Sequence, residues 1–193
     1  MNREWFDDKS VLDIGCNCGL VTKWIASTTH PWRVLGIDID SRLIGRARKY
    51  LKKTPKPETK ETPKPQDEYI PDHQFPNNLS YKTANFVGDF DDTQRFDAIL
   101  CLSVSKWIHL NWGDEGLMTL FQRAFLMLNP GGKFIFEPQP WSSYQKKRNI
   151  TDTTKQMFAK IKIKPEQFEE ILLDQIGFES HNELNVEYPE EFT

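Results

Sequence analysis

The chain has 193 residues, of which 38% are hydrophobic and 27% charged, and its formal net charge is -3. This length suits one α/β domain with a full core and is short for two domains. No apolar run approaches the length of a membrane span, and the first ten residues, MNREWFDDKS, lack the apolar core of a signal peptide. We therefore predict a single intracellular domain over residues 1–193, in the nucleus or the cytoplasm, and we expect a monomer.

The three cysteines predict neither a disulfide framework nor a metal site. Cys16 and Cys18 are too close together for an ordinary bridge, and Cys101 ends a predicted strand. A structural zinc site needs four ligands at recognisable spacing, and no second pair of Cys or His residues supplies them. We expect reduced thiols and no bound metal.

The first quarter of the chain has the pattern of two strand and helix units. Apolar runs at residues 11–14 and 34–37 predict two strands, and apolar spacing over 20–27 predicts the first helix. Ser41 can cap a second helix. The apolar face of that helix would consist of Leu43, Ile44, Ala47 and Leu51. Residues 53–76 then hold six of the twelve prolines, which favours an extended, mobile inserted loop over a domain boundary.

The rest of the chain continues this alternation. Residues 79–83, 96–102 and 133–137 predict three more strands. Asp114 can cap the helix between the last two, and NPGG at 129–132 would stop it. The apolar face of this helix would consist of Leu117, Leu120, Phe121, Ala124 and Leu128.

The C-terminal part predicts one further helix and one further strand. Pro165 suits the first turn of a helix that ends at Gly177 and buries Phe168, Ile171 and Leu172. Residues 178–186 can form a strand. Strands that alternate with helices through short loops predict an α/β fold, with a mostly parallel sheet covered by helices on both faces.

A glycine-rich loop between the first strand and its helix predicts a ligand site. Within VLDIGCNCG, the glycines let the backbone approach a ligand and leave helix N-terminal amides free to face it. The dinucleotide fingerprint G-x-G-x-x-G fails at Asn17 and Leu20, which disfavours a pyrophosphate cofactor. Asp38 ends the second strand, where a carboxylate can accept hydrogen bonds from both hydroxyls of a ribose.

Residues 106–115, KWIHLNWGDE, directly follow the fourth predicted strand. Ligands of open α/β sheets bind beyond the carboxyl ends of the strands, so this crowd of polar and aromatic residues indicates a site. The alternative is a capped loop with surface tryptophans, and exposed indoles without a function cost solubility.

Charge is unevenly distributed along the chain. Residues 166–193 carry nine carboxylates and no Lys or Arg, which leaves residues 1–165 with a formal charge of +6. Between residues 144 and 164, seven basic residues stand against Asp152 alone, beside Trp141 and Tyr144. Basic residues among aromatics suit a polyanion with stackable bases, although charge alone would favour a solvated helix face.

The glycine-rich loop, the acidic end of the second strand and two later motifs occur in the order Asp13, Gly15, Asn17, Gly19, Asp38, FDAILCLS and NPGGKFIFEP. This arrangement resembles the shared plan of class I S-adenosylmethionine-dependent methyltransferases. Over residues 5–178, the motifs DIGCNCG, GIDIDSRLI, FPNN, LCLS, KWIHLNWGDEG and EPQPWSSY resemble the methylphosphate capping enzymes and their Bicoid-interacting relatives. The resemblance implies a Rossmann-like methyltransferase fold. It also implies methyl transfer from S-adenosylmethionine to a 5' phosphate oxygen of a small RNA, with S-adenosylhomocysteine as product.

Site residues follow from the resemblance by position. The implied cofactor contacts are Gly15, Cys16, Asn17, Asp38, Ile39, Asn85, Phe86 and Leu102. Phe86 would lie against the adenine, and Asp13 and Gly19 belong to the cofactor loop. The implied partners are a small RNA with a 5' phosphate end and RNA-binding proteins, with no membrane.

The acceptor chemistry suits the remaining motif residues. A phosphate oxygen is already anionic, so methyl transfer to it needs alignment and partial charge neutralisation in place of a strong base. Lys106 and His109, three residues apart, can both face a phosphate and are the candidate catalytic residues. The candidate substrate contacts are Asn111, Gln139, Ser142 and Ser143 as hydrogen-bond donors, Trp112, Trp141 and Tyr144 as stacking rings, and Glu137.

Each of these assignments has a structural alternative. His109 could be a satisfied structural histidine, Glu137 could hold a loop, and either Trp112 or Trp141 could belong to the core. We favour function for Lys106 and packing for Trp107.

Two departures from the family pattern stand at the ends of the chain. The relatives carry a segment rich in Tyr and Arg before the first strand, and their sheet closes with a hairpin to a last strand. We expect both parts to be missing here, either because the chain has been trimmed or because the protein is a shortened relative. The alternatives to a 5'-phosphate methyltransferase are a catalytically impaired RNA-binding or scaffold protein and a methyltransferase that acts on a small molecule or a protein.

Overall fold

The computed structural model describes residues 2–52, 73–91 and 93–184, and most of the predicted insert at 53–76 lies outside these ranges. The strands are β1 (Ser10–Ile14), β2 (Arg33–Asp38), β3 (Leu79–Thr83), β4 (Phe96–Leu102) and β5 (Leu128–Glu137). They form one parallel sheet in the order β3-β2-β1-β4-β5. The predicted parallel sheet is therefore confirmed.

Helices connect these strands and follow the last of them. After a 3-10 turn at Arg3–Trp5, the helices are α1 (Leu20–Thr28), α2 (Ser41–Lys52), α3 (Ser105–Met127), α4 (Trp141–Lys147) and α5 (Asp152–Lys160). A C-terminal helical segment follows, made of a 3-10 turn (Pro165–Gln167), an α turn (Phe168–Glu170) and a π turn (Ile171–Ile176). In the part of the chain that the structure describes, no helix is both long and apolar enough to cross a membrane.

Alternate side chains of β4 enter two separate cores, one on each face of the sheet. Ile99 and Cys101 pack on the side of α3 and the C-terminal helical segment, together with Leu117, Leu120, Phe121, Phe168 and Ile171. Ala98 and Leu100 pack on the side of α1 and α2, together with Ile25, Ala26, Ile44 and Ala47. Full burial of one Leu or Ile side chain is worth about 1.5–3 kcal/mol, so both helical layers stabilise the sheet. Helices on both faces are confirmed.

A helix begins at Asp114 as predicted, but it is preceded by another helical stretch that begins at Ser105, and the two are joined at Gly113 as α3. Gly113 interrupts it with φ 65° and ψ -163°, a backbone conformation that favours glycine. The Asp114 carboxylate accepts hydrogen bonds from His109 and from the backbone amides of Lys162 and Ile163. Most of residues 106–115 is therefore helical, with a kink where the sequence predicted a helix start.

Two other expectations need correction. NPGG ends α3 as predicted, but it lies within β5, which begins at Leu128 instead of residue 133, and the register with β4 shifts between Phe96 and Ala98. The strand predicted at 178–186 is wrong for residues 178–184, which form no strand, and the rest lies outside the described residues. The Phe178 ring packs against Phe134 and Phe125 instead, with centroids 5.8 and 5.1 Å apart.

The order of the strands fixes where a ligand can bind. From β1 the chain first builds β2 and β3 on one side, and it then crosses to build β4 and β5 on the other. In sheets of this kind ligands bind beyond the carboxyl ends of the strands, at the point where the direction of winding reverses. That point lies between β1 and β4.

Candidate functional site

A cavity of about 750 Å³ opens at the carboxyl ends of β1, β2 and β4. It is lined by most of the residues predicted from the sequence, namely Asp13, Gly15, Cys16, Asn17, Asp38, Ile39, Asn85, Phe86, Leu102, Asn111, Trp112 and Gln139. The remaining predicted residues, Gly19, Lys106, His109, Glu137, Trp141, Ser142, Ser143 and Tyr144, do not line it. The sequence therefore predicted the half of the cavity formed by the glycine-rich loop and the end of β2 better than the opposite half.

The Asp38 carboxylate joins two loops at the mouth of the cavity. One oxygen accepts a hydrogen bond from the amide of Asn17, at 3.0 Å, and the other from the amide of Asp40, at 2.8 Å. The amides of Gly15 and Cys16 donate to the carbonyl of Ile37. The glycine-rich loop and the end of β2 are thus held together, with a carboxylate between them.

Gly19 supports this loop from behind. It has φ 79° and precedes the first residue of α1. A Cβ atom at this position would lie 2.4 Å from the hydroxyl of Tyr81, which donates a hydrogen bond to the Gly19 carbonyl. Gly19 is required by the backbone conformation and by this close packing, and it makes no part of the cavity wall.

Asp13 lies on the floor of the cavity and is 4% exposed. Its carboxylate accepts a hydrogen bond of 2.6 Å from the Thr22 hydroxyl. Burial raises the pKa of Asp13 to about 6, an effect that the Thr22 hydrogen bond opposes and the nearby Asp38 charge increases. A carboxyl group with a raised pKa therefore lies beneath the glycine-rich loop.

Replacement of Asp13 by asparagine should remove the contribution of this carboxyl group to the pH dependence of the free energy of unfolding. Between about pH 4 and pH 6 the folded protein retains a proton that the unfolded chain has released, so wild-type stability falls as the pH rises through this window. As the pH rises from about 4 to 6, the free energy of unfolding of the wild type should fall by up to about 3 kcal/mol relative to that of Asp13→Asn. Above this window the difference should stay constant. Urea unfolding of both proteins across this range measures the difference, and a difference that does not change with pH would contradict the expectation.

Apolar side chains flank Asp38 on the same side of the cavity. Ile39 and Leu43 follow β2, and Phe86 lies in the segment after β3, with its ring 5.6 Å from that of Phe90. A carboxylate beside an apolar wall can accept the hydroxyls of a ribose and pack against a base. This half of the cavity therefore fits a nucleoside.

The first two turns of α3 form the opposite wall, which we call the tryptophan wall (Trp107, Asn111 and Trp112). Trp107 and Trp112 are 38% and 39% exposed, and Asn111 donates a hydrogen bond of 2.8 Å to the carbonyl of Trp107. From the sequence we favoured a packing role for Trp107, but in the structure Trp107 lines the cavity. One signal in the sequence could have indicated that Trp107 lines the cavity. Trp107 and Asn111 are four residues apart, which places both side chains on one face of a helix.

Polar side chains at the ends of β4 and β5 complete this side. The Ser103 hydroxyl donates to the Glu137 carboxylate at 2.8 Å, and the Gln139 amide nitrogen donates to the Ser103 carbonyl. The Gln139 side-chain oxygen is buried and has no hydrogen-bond partner among the described residues. Glu137 thus holds the segment between β4 and α3, and Gln139 brings an unused acceptor to the cavity wall.

Lys106 lies behind the tryptophan wall and is 6% exposed. Its ammonium group donates a hydrogen bond of 2.8 Å to the Ser143 hydroxyl of α4 and lies 4.8 Å from the centroid of the Trp107 ring. Burial lowers the pKa of Lys106, and the charge of Lys147 lowers it further. The lysine therefore joins the start of α3 to α4.

His109 is fully buried behind the same wall. Its Nε2 lies 2.8 Å from the Asp114 carboxylate and its Nδ1 lies 3.4 Å from the Tyr144 hydroxyl. Burial lowers the pKa of His109, although the nearby Asp114 opposes this shift. The lowered pKa favours a neutral ring, which donates a hydrogen bond from Nε2. The histidine fastens the kink of α3 to its surroundings and has no surface of its own in the cavity.

The aromatic residues of α4 lie in a third, smaller core with Leu110 and Ile161. Tyr144 has no exposed surface, and Trp141 stacks between Tyr144 and Phe158, with centroids 5.1 and 4.9 Å away. Lys164 covers the Trp141 ring at 3.3 Å from its centroid. Of the three rings predicted to stack on a base, Trp112 is the one that lines the cavity.

The sheet order, the cavity at the reversal point and the loop held by Asp38 define the class I S-adenosylmethionine-dependent methyltransferase fold. The solved N-methyltransferase NodS from Bradyrhizobium japonicum WM9, in complex with S-adenosyl-L-homocysteine, shares this fold with a TM-score of 0.54. It is 20% identical in sequence, and the match covers 79% of this chain and 65% of that chain. PKMT2 from Rickettsia typhi gives a TM-score of 0.52 at 22% identity, covering 78% of this chain and 25% of that chain.

Sequence comparison narrows the class to a family. The Bicoid-interacting protein 3 family model matches residues 96–192, and a methyltransferase domain model matches residues 12–134. The chain belongs to the Bicoid-interacting protein 3 family. The resemblance carried by KWIHLNWGDEG and EPQPWSSY is thereby confirmed.

Similar proteins include enzymes that modify the ends of small RNAs. A probable RNA methyltransferase from Arabidopsis thaliana is 38% identical and covers 95% of this chain, and the 7SK snRNA methylphosphate capping enzyme from Homo sapiens is 38% identical and covers 92%. The U6 snRNA methylphosphate capping enzyme Amus from Drosophila melanogaster is 37% identical over 90% of this chain. This chain spans 66%, 32% and 56% of the lengths of these three relatives.

Proposed function

We propose that this protein transfers a methyl group from S-adenosylmethionine to a 5' phosphate oxygen of a small RNA. The observation that carries the proposal is the two-sided cavity, with a nucleoside-binding half around Asp38 and the tryptophan wall opposite. Relatives named as methylphosphate capping enzymes and as RNA 5'-monophosphate methyltransferases support the same chemistry.

The cofactor half has the groups that S-adenosylmethionine requires. Asp38 would accept the ribose hydroxyls, Ile39 and Phe86 would flank the adenine, and the loop at residues 15–17 would face the amino acid part. Asn85 and Leu102 complete the wall, and Asp13 supports it from below. When bound, the cofactor supplies a methyl group made electrophilic by its positively charged sulfur.

The acceptor half would hold the phosphate and the first nucleotide. Lys106 would exchange its bond to Ser143 for a phosphate oxygen and neutralise part of its charge, while His109, which is buried, would act as a positioning residue. Trp112 would stack on the first base. Further hydrogen bonds would come from Asn111, Gln139, Ser142 and Ser143.

A basic surface beside the cavity favours RNA over a small molecule or a protein. It consists of exposed side chains on and around α4 and α5, namely Lys146, Lys147, Arg148, Lys155, Lys160 and Lys162. Asp152 is the sole acidic residue between positions 141 and 164, and none of the six basic side chains is ion-paired within the described ranges. Such a surface would bind phosphates beyond the first nucleotide and release counterions.

The decisive test compares the ends of the RNA. The protein is incubated with radiolabelled S-adenosylmethionine and one RNA sequence that carries a triphosphate, a monophosphate or no phosphate at its 5' end. We expect label on phosphate-ended RNA and none on dephosphorylated RNA, since the phosphate oxygen is the nucleophile. Equal labelling of all three RNAs would exclude the phosphate as acceptor, and RNA binding without cofactor binding in calorimetry would favour a scaffold protein.

Three further expectations from the sequence stay predictions. They are a monomeric state, RNA-binding protein partners and a nuclear or cytoplasmic location.

A further inference from the structure

Arg123 connects α3 to the segment that carries the apolar cofactor wall. Its Nη1 donates a hydrogen bond of 3.2 Å to the carbonyl of Gly88, and its Nη2 donates to the carbonyl of Phe90. The same guanidinium lies 5.7 Å from the centroid of the Phe86 ring. One side chain thus contacts the segment at three points.

The contacted segment, residues 84–91, bears three residues of the cavity wall, Ala84, Asn85 and Phe86. Its backbone turns back on itself, because the amide of Phe90 donates to the carbonyl of Asn85 at 3.2 Å. Phe86 is 3% exposed and its ring packs against Phe90 in the core, so its position depends on how this turn lies against α3. Arg123 attaches the turn to α3 through the carbonyls of Gly88 and Phe90 and so helps to set that position.

We propose that Arg123 is a positioning residue for the adenine side of the cofactor site. The proposal rests on the proposed cofactor site, because it assigns Arg123 an effect on that ligand through Phe86. The planar guanidinium can bond two carbonyls at once and lie against an aromatic ring, which an ammonium group cannot do in the same geometry. Its Nε is buried and has no hydrogen-bond partner among the described residues, so the two carbonyl bonds carry the charge-assisted contacts.

The competing interpretation is that Arg123 only stabilises the core. Arg33 offers a matched comparison, because it makes the same kinds of contact at the opposite end of the sheet. It donates to the carbonyl of Arg95 at 3.2 Å and to the Ser10 hydroxyl at 2.6 Å, and its guanidinium lies 5.1 Å from the Phe96 ring. Neither Arg33 nor its partners line the cavity.

The test is calorimetric titration of S-adenosylhomocysteine into the full chain and its variants, with thermal unfolding as a check on folding. We expect Arg123→Met to raise the Kd about tenfold and Arg123→Lys about threefold, because lysine restores the charge and one hydrogen bond. Arg33→Met should lower thermal stability and leave the Kd within about twofold of wild type. RNA affinity of Arg123→Met should also stay within about twofold of wild type.

The possible results distinguish a positioning role of Arg123 from a purely structural role and from failure of the proposed cofactor site. Unchanged affinity in a folded Arg123→Met protein would overturn the positioning role, and equal weakening by Arg33→Met would assign the effect to stability. If Arg123→Met does not fold, Arg123→Lys decides, and wild-type affinity in that variant overturns the proposal. Absence of binding by wild-type protein would overturn the proposed cofactor site and, with it, this inference.

Discussion

Replacement of Asp38 by alanine should weaken binding of S-adenosylhomocysteine about 100-fold, the largest effect we expect on the cofactor side. The carboxylate accepts the amides of Asn17 and Asp40, and it is the group proposed to accept the ribose hydroxyls. Loss of one hydrogen bond to a charged group costs about 1.5–3 kcal/mol, which corresponds to an effect of this size, and the loop that Asp38 holds would also lose its shape. Calorimetric titration of the folded variant measures the change.

Asp40→Ala is the matched control for Asp38→Ala. Asp40 also lines the cavity and carries the same charge, but its carboxylate is engaged by the guanidinium of Arg42 at 2.8 Å. We expect the affinity of this variant to change less than about threefold. Similar losses in the two variants would show that the overall negative charge of the site, and not the position of Asp38, governs binding.

The cofactor half of the site could be predicted because its signals are local. The strand, the glycine-rich loop and the helix are consecutive in sequence, and Asp38 follows a second strand that must lie beside the first. Parallel strands bring their carboxyl ends to the same edge of the sheet, so residues 23 positions apart become neighbours without further information. The cavity lining confirms that grouping.

The acceptor half was harder to predict because its geometry depends on distant contacts. A helix does start after Gly113, but the Asp114 carboxylate, which was expected to cap it, accepts hydrogen bonds from the amides of residues 162 and 163. No local pattern reveals such a partner. The burial of Lys106 has the same origin, because it depends on α4 packing against the start of α3.

The C-terminal part shows how packing can override a strand pattern. Residues 178–186 were predicted to form a strand, but the Phe178 ring covers Phe134 of β5 and Phe125 of α3. Once that ring is committed to these contacts, residues 178–184 do not pair with the sheet. Strand propensity is therefore a weak guide here, where the contacts of one half-buried ring decide the backbone structure.

Replacement of Lys106 by alanine should lower kcat for methyl transfer about 100-fold while leaving the Kd for S-adenosylhomocysteine within about twofold. The ammonium group is the proposed partner of the acceptor phosphate, and loss of one charge-stabilising donor at a reacting oxygen has effects of this size. Lys106 does not line the cofactor half of the cavity, so binding there should persist. Single-turnover labelling of phosphate-ended RNA, together with calorimetry, separates the two quantities.

Ser143→Ala distinguishes a direct role of Lys106 from an indirect one. In the structure Lys106 donates to the Ser143 hydroxyl, so either variant breaks the link between α3 and α4. If Lys106 acts on the phosphate itself, Ser143→Ala keeps the ammonium group and should lower kcat only about threefold, the size expected for one neutral hydrogen bond. If the lysine acts by holding α4 in place, the two variants should lose the same activity, and the double variant should lose no more than either alone. A parallel loss of cofactor binding in Lys106→Ala would instead remove the lysine from the acceptor side altogether.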